Sequence, residues 1–116
     1  MICYCREDIE ELRKQREHYY IPSALFDTMQ YKLIRLEVKW AYVACLNVML
    51  KSPSYDREGQ AFIKDDHPEM VTVLQDLANK KVDKEKIDGY LDELEAKELI
   101  ERKGRDVYLK KMTHIF

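Results

Sequence analysis

Glycine and proline are scarce, three of each among 116 residues. Tight turns draw on both, so an all-β fold crowded with turns is excluded, and so is a long irregular linker. Charge of one sign is also lacking: 20 Lys and Arg against 22 Asp and Glu leave a net charge of −2. General attraction to polyanions cannot follow from that total, so any cationic site must be local. The longest apolar run, Trp40 to Leu46, is far too short to span a bilayer, which argues against a membrane partner. The opening Met1-Ile2-Cys3-Tyr4-Cys5-Arg6 shows no cationic stretch leading into the apolar run of an export signal. Cysteine is limited to Cys3, Cys5 and Cys45, an odd number that reads as reduced thiols and a cytoplasmic setting. Cys3 and Cys5 lack the spacing of a zinc site and read as part of a frayed terminus.

Catalytic signatures are missing as well. The chain has no Gly-rich phosphate loop, no His-Glu-x-x-His and no ordered Ser/His/Asp set. His18, His67 and His114 are scattered, and the acids around His67 (Asp65, Asp66, Glu69) suit a solvated helix start. The expectation is a binding protein, not an enzyme, with no metal and no cofactor.

What is present is helical periodicity. Hydrophobic residues make up 46% and charged residues 36%, the balance of a globular chain with one core. Glu7 to Tyr19 reads as a polar helix with a thin apolar stripe of Ile9, Leu12 and Tyr19. After Ile21-Pro22, Ser23 caps a short helix holding Ala24, Leu25, Phe26 and Met29. Leu36 to Leu50 is apolar on nearly every face, the pattern of a buried helix. Asp56 to Gly59 reads as a turn and Gln60 to Ile63 as a short strand. A helix opened by Pro68 carries Met70, Val73, Leu74 and Leu77. A second, capped by Asp83, carries Ile87, Tyr90, Leu91 and Leu94. Leu99 to Lys103 and Asp106 to Lys110, around Gly104-Arg105, form a β-hairpin. The fold class is mainly α with a small β-hairpin, a winged helix-turn-helix preceded by an N-terminal helix. Residues 1–19 read as the polar helix and residues 20–116 as the winged-helix domain.

Several segments resemble a known family. Tyr20-Ile21-Pro22-Ser23-Ala24-Leu25-Phe26 is similar to the opening of the N-terminal domain of replication initiator protein A, found on plasmids and other mobile elements. The likeness continues through Glu37-Val38-Lys39 and Tyr42, then Asp56-Arg57-Glu58-Gly59 with Phe62-Ile63. It closes on Leu94-Glu95, Leu99-Ile100 and Tyr108-Leu109. Primosomal proteins of the DnaD type are a weaker match. The resemblance implies a winged helix that binds double-stranded DNA within a replication-initiation or regulatory system, with replication proteins as further partners.

The cations suit that role. Lys80, Lys81, Lys84 and Lys86 gather at the start of the expected recognition helix, and Arg102, Lys103, Arg105 and Lys110 lie in the wing region. Against this, the stretch from Asp83 to Glu98 holds three lysines and seven acids, a net of −4. The opposite reading is a protein-interaction or dimerisation module of the same fold without DNA binding. Gly89 and Ala96 would then form a strip that another chain could approach. The stripe of Ile9, Leu12 and Tyr19 suggests a homodimer through the N-terminal helix; its alternative is that the stripe folds back on the central helix of its own chain.

Overall fold

The computed structural model describes residues 2–15 and 19–112. Helix α1 spans Arg6–Gln15, α2 Ala24–Asp27, and a single 3-10 turn follows at Met29–Tyr31. Helix α3 (Leu36–Lys51) leads to strands β1 (Ser54–Tyr55) and β2 (Ala61–Lys64). Helices α4 (Glu69–Ala78) and α5 (Lys84–Ala96) precede the hairpin of β3 (Ile100–Lys103) and β4 (Asp106–Leu109). The architecture is mainly α and winged-helix-like, as the periodicity implies. Residues 16–18, into which the expected N-terminal helix runs, lie outside the described residues, as do His18, His114 and the final residues 113–116.

Helix α3 is the centre because it is apolar on nearly every face over most of its length: every side chain from Ala41 to Leu50 is buried. Asn47 is the one amide side chain among them, and it is fully used. It accepts from the backbone N–H of Tyr20 at 2.7 Å and donates to the carbonyls of Tyr20 and Val43, both at 2.8 Å. That pairing fastens the Tyr20-Ile21-Pro22 segment to the core. Burial pushes the thiol of Cys45 on the same helix up to about 12.

The sheet runs in the order β1-β2-β4-β3, all antiparallel. Ala61, Ile63, Ile100, Val107 and Leu109 are buried in the core. Phe62, Lys64, Lys103, Asp106 and Tyr108 share the other face. There Lys64 Nζ meets Asp106 at 2.5 Å, and the rings of Phe62 and Tyr108 lie 5.7 Å apart.

The segment from Ile2 to Cys5 is not frayed. Tyr4 donates its N–H to Leu109 and accepts from Ala61, while Ile2 accepts from Lys111; Cys3 bridges to Lys110 and Cys5 to Gln60. The segment thus bonds to both β2 and the end of β4. The reason is Tyr4, only 2% exposed, whose hydroxyl accepts from the amide of Met112 at 3.1 Å. Helix α1 follows at once, with Asp8 reaching back to the N–H of Cys5 at 3.0 Å.

The packing of the N-terminal stripe is visible here. Ile9 is completely buried within its own chain, and Leu12 packs partly buried against the same core. Tyr19, 40% exposed, donates its hydroxyl to Asp76 of α4 at 3.1 Å. The stripe therefore folds back on the core of its own chain, the alternative reading of the sequence. Tyr4 and Ile9, on the N-terminal side of residue 19, belong to the core that α3 organises. Met29, expected among the apolar residues of the short helix, stands 79% exposed beyond the break at Thr28.

Candidate nucleic-acid interface

Helix α5 begins as the sequence predicts. Asp83 is extended and accepts the N–H of Lys86 at 2.9 Å, the geometry of an N-cap. Ile87, Tyr90, Leu91 and Leu94 face the core. The outward side carries Glu85, Lys86, Gly89, Asp92 and Ala96, all exposed. A Cβ added at Gly89 would meet nothing within 4 Å, so no neighbour in this chain requires glycine there.

The acidic character of α5 is largely answered from within the chain. Lys84 pairs with Asp88 one turn on. Arg35, at the entrance to α3, bonds Glu93 at 2.6 Å. Arg102 in β3 donates from Nη2 to Asp92 at 2.6 Å and to Glu95 at 2.8 Å, and from Nε to Glu95 at 3.1 Å. The backbone N–H of Arg102 also donates to Glu95, at 3.1 Å. These bonds hold the Glu95 carboxyl below the usual carboxylate range and raise Arg102 further above its own. Arg102, expected among the cations that meet phosphate, is thus a strut between wing and helix, its guanidinium occupied by two carboxylates.

The other expected cations divide by partner. Lys81 and Lys86 are exposed and have no ion pair among the described residues. Lys80 stands 3.8 Å from Glu37, a loose contact. Lys103 lies 5.1 Å over the ring of Tyr108 and Lys110 5.6 Å over that of Tyr31. Burial first, then the bond to Asp56, pushes the Tyr108 hydroxyl up to about 12. Arg105 pairs with Asp65 and Asp66, and its carbonyl accepts the N–H of Asp65 at 2.9 Å. The wing tip is therefore seated on the β2–α4 turn, and Lys110 sits at the far end of β4 from it. Arg35 escaped the sequence reading because its partner is 58 residues away and no local pattern marks the pair.

No family model and no curated protein matches the chain. Solved structures do. One described as the structure of an MDR initiator is 27% identical, with a TM-score of 0.57 over 91% of this chain and 85% of that one. The second, a Rep–DNA complex, is 26% identical, with a TM-score of 0.53 over 92% and 84%. This chain is similar to a replication-initiator N-terminal domain. A third structure, the N-terminal domain of a DNA-binding protein, matches the initiator-like domain at 25% identity and a TM-score of 0.56, over 91% and 82%. Among the described residues no helix of the initiator-like domain is long and apolar enough to cross a membrane.

Proposed function

We propose that this chain binds double-stranded DNA through the N-terminal half of α5 and the wing, as part of a cytoplasmic replication-initiation system carried on a plasmid, phage or other mobile element. The role is binding, without chemistry of its own. The observation that carries the reading is the similarity along nearly the whole chain to an initiator and to a Rep–DNA complex. Exposed cations support the choice of residues. Lys81 and Lys86 on the helix side and Lys103 on the wing are exposed cations that no carboxylate holds. Lys80, Lys84 and Arg105 keep exposed pairs, worth little in water, that phosphate can replace. Arg102 ties the wing to α5 through Asp92 and Glu95.

Anisotropy titrations with mixed-sequence duplexes across a salt series test this. The wild type binds at low salt. Lys81→Glu with Lys86→Glu weakens binding to every duplex and flattens the plot of log affinity against log salt by about two phosphate contacts. Arg102→Ala lowers affinity but leaves that slope unchanged, because a strut touches no phosphate. A wild type that binds no duplex at low salt removes the reading and leaves the protein-interaction module in its place.

A further inference from the structure

We propose that Lys39, with the ring of Phe26 and the exposed apolar side chains that lead into α3, forms a docking site for an acidic, apolar segment of a different protein. Lys39 lies within α3 and is only 7% exposed. Lysine is almost never buried to that degree without a partner. Here no carboxylate pairs with it and no acceptor takes its protons among the described residues. What faces its ammonium is the ring of Phe26, whose centroid is 5.5 Å from Nζ. A ring face returns only part of the hydration that a buried cation gives up. The nitrogen is not sealed in, however. Among the described residues the side-chain N or O atom shut from solvent without a partner is Glu69 Oε2, so the equally unpartnered Lys39 ammonium still opens to solvent.

The surroundings decide what kind of anion fits. Leu36 stands one turn before Lys39 and Trp40 on α3, and the ring of Trp40 lies 5.4 Å from that of Phe26. Leu36 is 57% exposed, and the chain entering α3 leaves Leu33 94% and Met29 79% exposed. A single exposed apolar residue is ordinary, but three within one short stretch are the kind of patch that marks a contact surface. The other charges of this stretch cancel. Lys32 and Asp27 are both exposed and without an ion pair among the described residues, and Arg35 is taken by Glu37 and Glu93.

A nucleic acid needs a row of cations for successive phosphates. One recessed ammonium bordered by aliphatic side chains fits a single carboxylate flanked by apolar residues instead. An Asp or Glu side chain of the partner segment meets Lys39, and the apolar side chains beside it cover Met29, Leu33 and Leu36. The cation that is unpaired in the free chain thereby gains a charge-assisted bond, the stronger kind. Contact through so small a patch is weak, with a dissociation constant on the order of 100 µM for an isolated peptide. The inference does not rest on DNA binding, because peptide binding is read without DNA.

Fluorescence anisotropy of the full chain with a labelled peptide of about ten residues, alternating Asp and Leu, tests this. The wild type binds it, and binds about tenfold more weakly a peptide with Asn in place of each Asp, or with Ser in place of each Leu. Lys39→Met keeps the buried stem and removes the charge. It weakens binding of the Asp–Leu peptide about tenfold and leaves that of the Asn–Leu peptide unchanged. Its midpoint in urea stays at or above that of the wild type, because an unpaired buried charge adds nothing to the fold. Leu33→Ser, at an exposed position that folding does not need, also weakens binding about threefold or more, and keeps the test open if Lys39→Met does not fold. A wild type that binds no Asp–Leu peptide up to about 1 mM overturns the proposal. So does a folded Lys39→Met that binds it as the wild type does. An oligothymidylate that binds more tightly than the peptide and displaces it overturns the proposal too, and would give the site to single-stranded nucleic acid.

Discussion

Asn47 shows how a single polar group can be obligatory inside an apolar helix. Its side chain saturates both backbone groups of Tyr20 and the carbonyl of Val43, and it is 1% exposed. Buried amides are tolerated only when paired, and the reverse holds for the groups they pair. Removing the side chain leaves the Tyr20 N–H and carbonyl facing an apolar wall. Asn47→Leu, with the same number and branching of side-chain heavy atoms, is therefore expected to destabilise by about 1–3 kcal/mol in urea melts, although it adds apolar surface to the core. A stability within about 0.5 kcal/mol of wild type would mean that the Tyr20 segment is held by its neighbours and not by this amide.

Between elements, the informative bond set is the one joining β3 to α5. Arg102 gives its backbone N–H, Nε and Nη2 to Glu95, and Nη2 again to Asp92. The strand N–H of Arg102, on an edge strand of the sheet, is thereby capped by a side chain. Because these bonds depress the Glu95 pKa in the folded chain, the stability they give is present above the ordinary glutamate range. It is lost as pH falls through the lowered folded value. Wild type is accordingly expected to lose stability as pH drops below about 4, and Glu95→Gln to show a shallower acid limb in urea melts between pH 7 and 3. Superimposable limbs would show that the strut carries no such linkage. The strut also shows where the sequence stops being legible. Helices α3 and α5 were readable because burial repeats with the helical period, and the hairpin because two alternating runs flank Gly104. Which carboxylate takes Arg102, or that Arg35 reaches Glu93, depends on how separate elements are packed. No spacing rule encodes that. The acid-rich stretch on α5 consequently reads as repulsive in sequence and is substantially neutralised in space.

At the scale of the molecule, the N-terminal segment decides whether there is one cooperative unit or an appendage on a domain. Periodicity revealed the stripe of Ile9 and Leu12 but not what it meets. Two-residue pairings such as those of Cys3 and Cys5 leave no pattern to read. In the structure Tyr4 and Ile9 are 2% and 0% exposed, Tyr4 bonds to β2, β4 and Met112, and Lys111 pairs with Asp8 at 2.7 Å. Deleting a buried large side chain typically costs about 2–5 kcal/mol, against a total stability of about 5–15 kcal/mol for a domain. Starting the chain at Tyr20 removes two such side chains and also unpairs the backbone groups of Ala61 and Leu109 that Tyr4 satisfies. That truncation is expected to abolish or greatly broaden the cooperative urea transition, and Ile9→Ala alone to lower stability by about 2–4 kcal/mol. An arm used only for pairing would behave differently: its removal would leave the transition sharp and its midpoint unmoved at low protein concentration. Urea melts of both variants, followed by the fluorescence of Trp40, separate the two outcomes. A truncated chain that melts like the full one would return α1 to the role of a detachable arm.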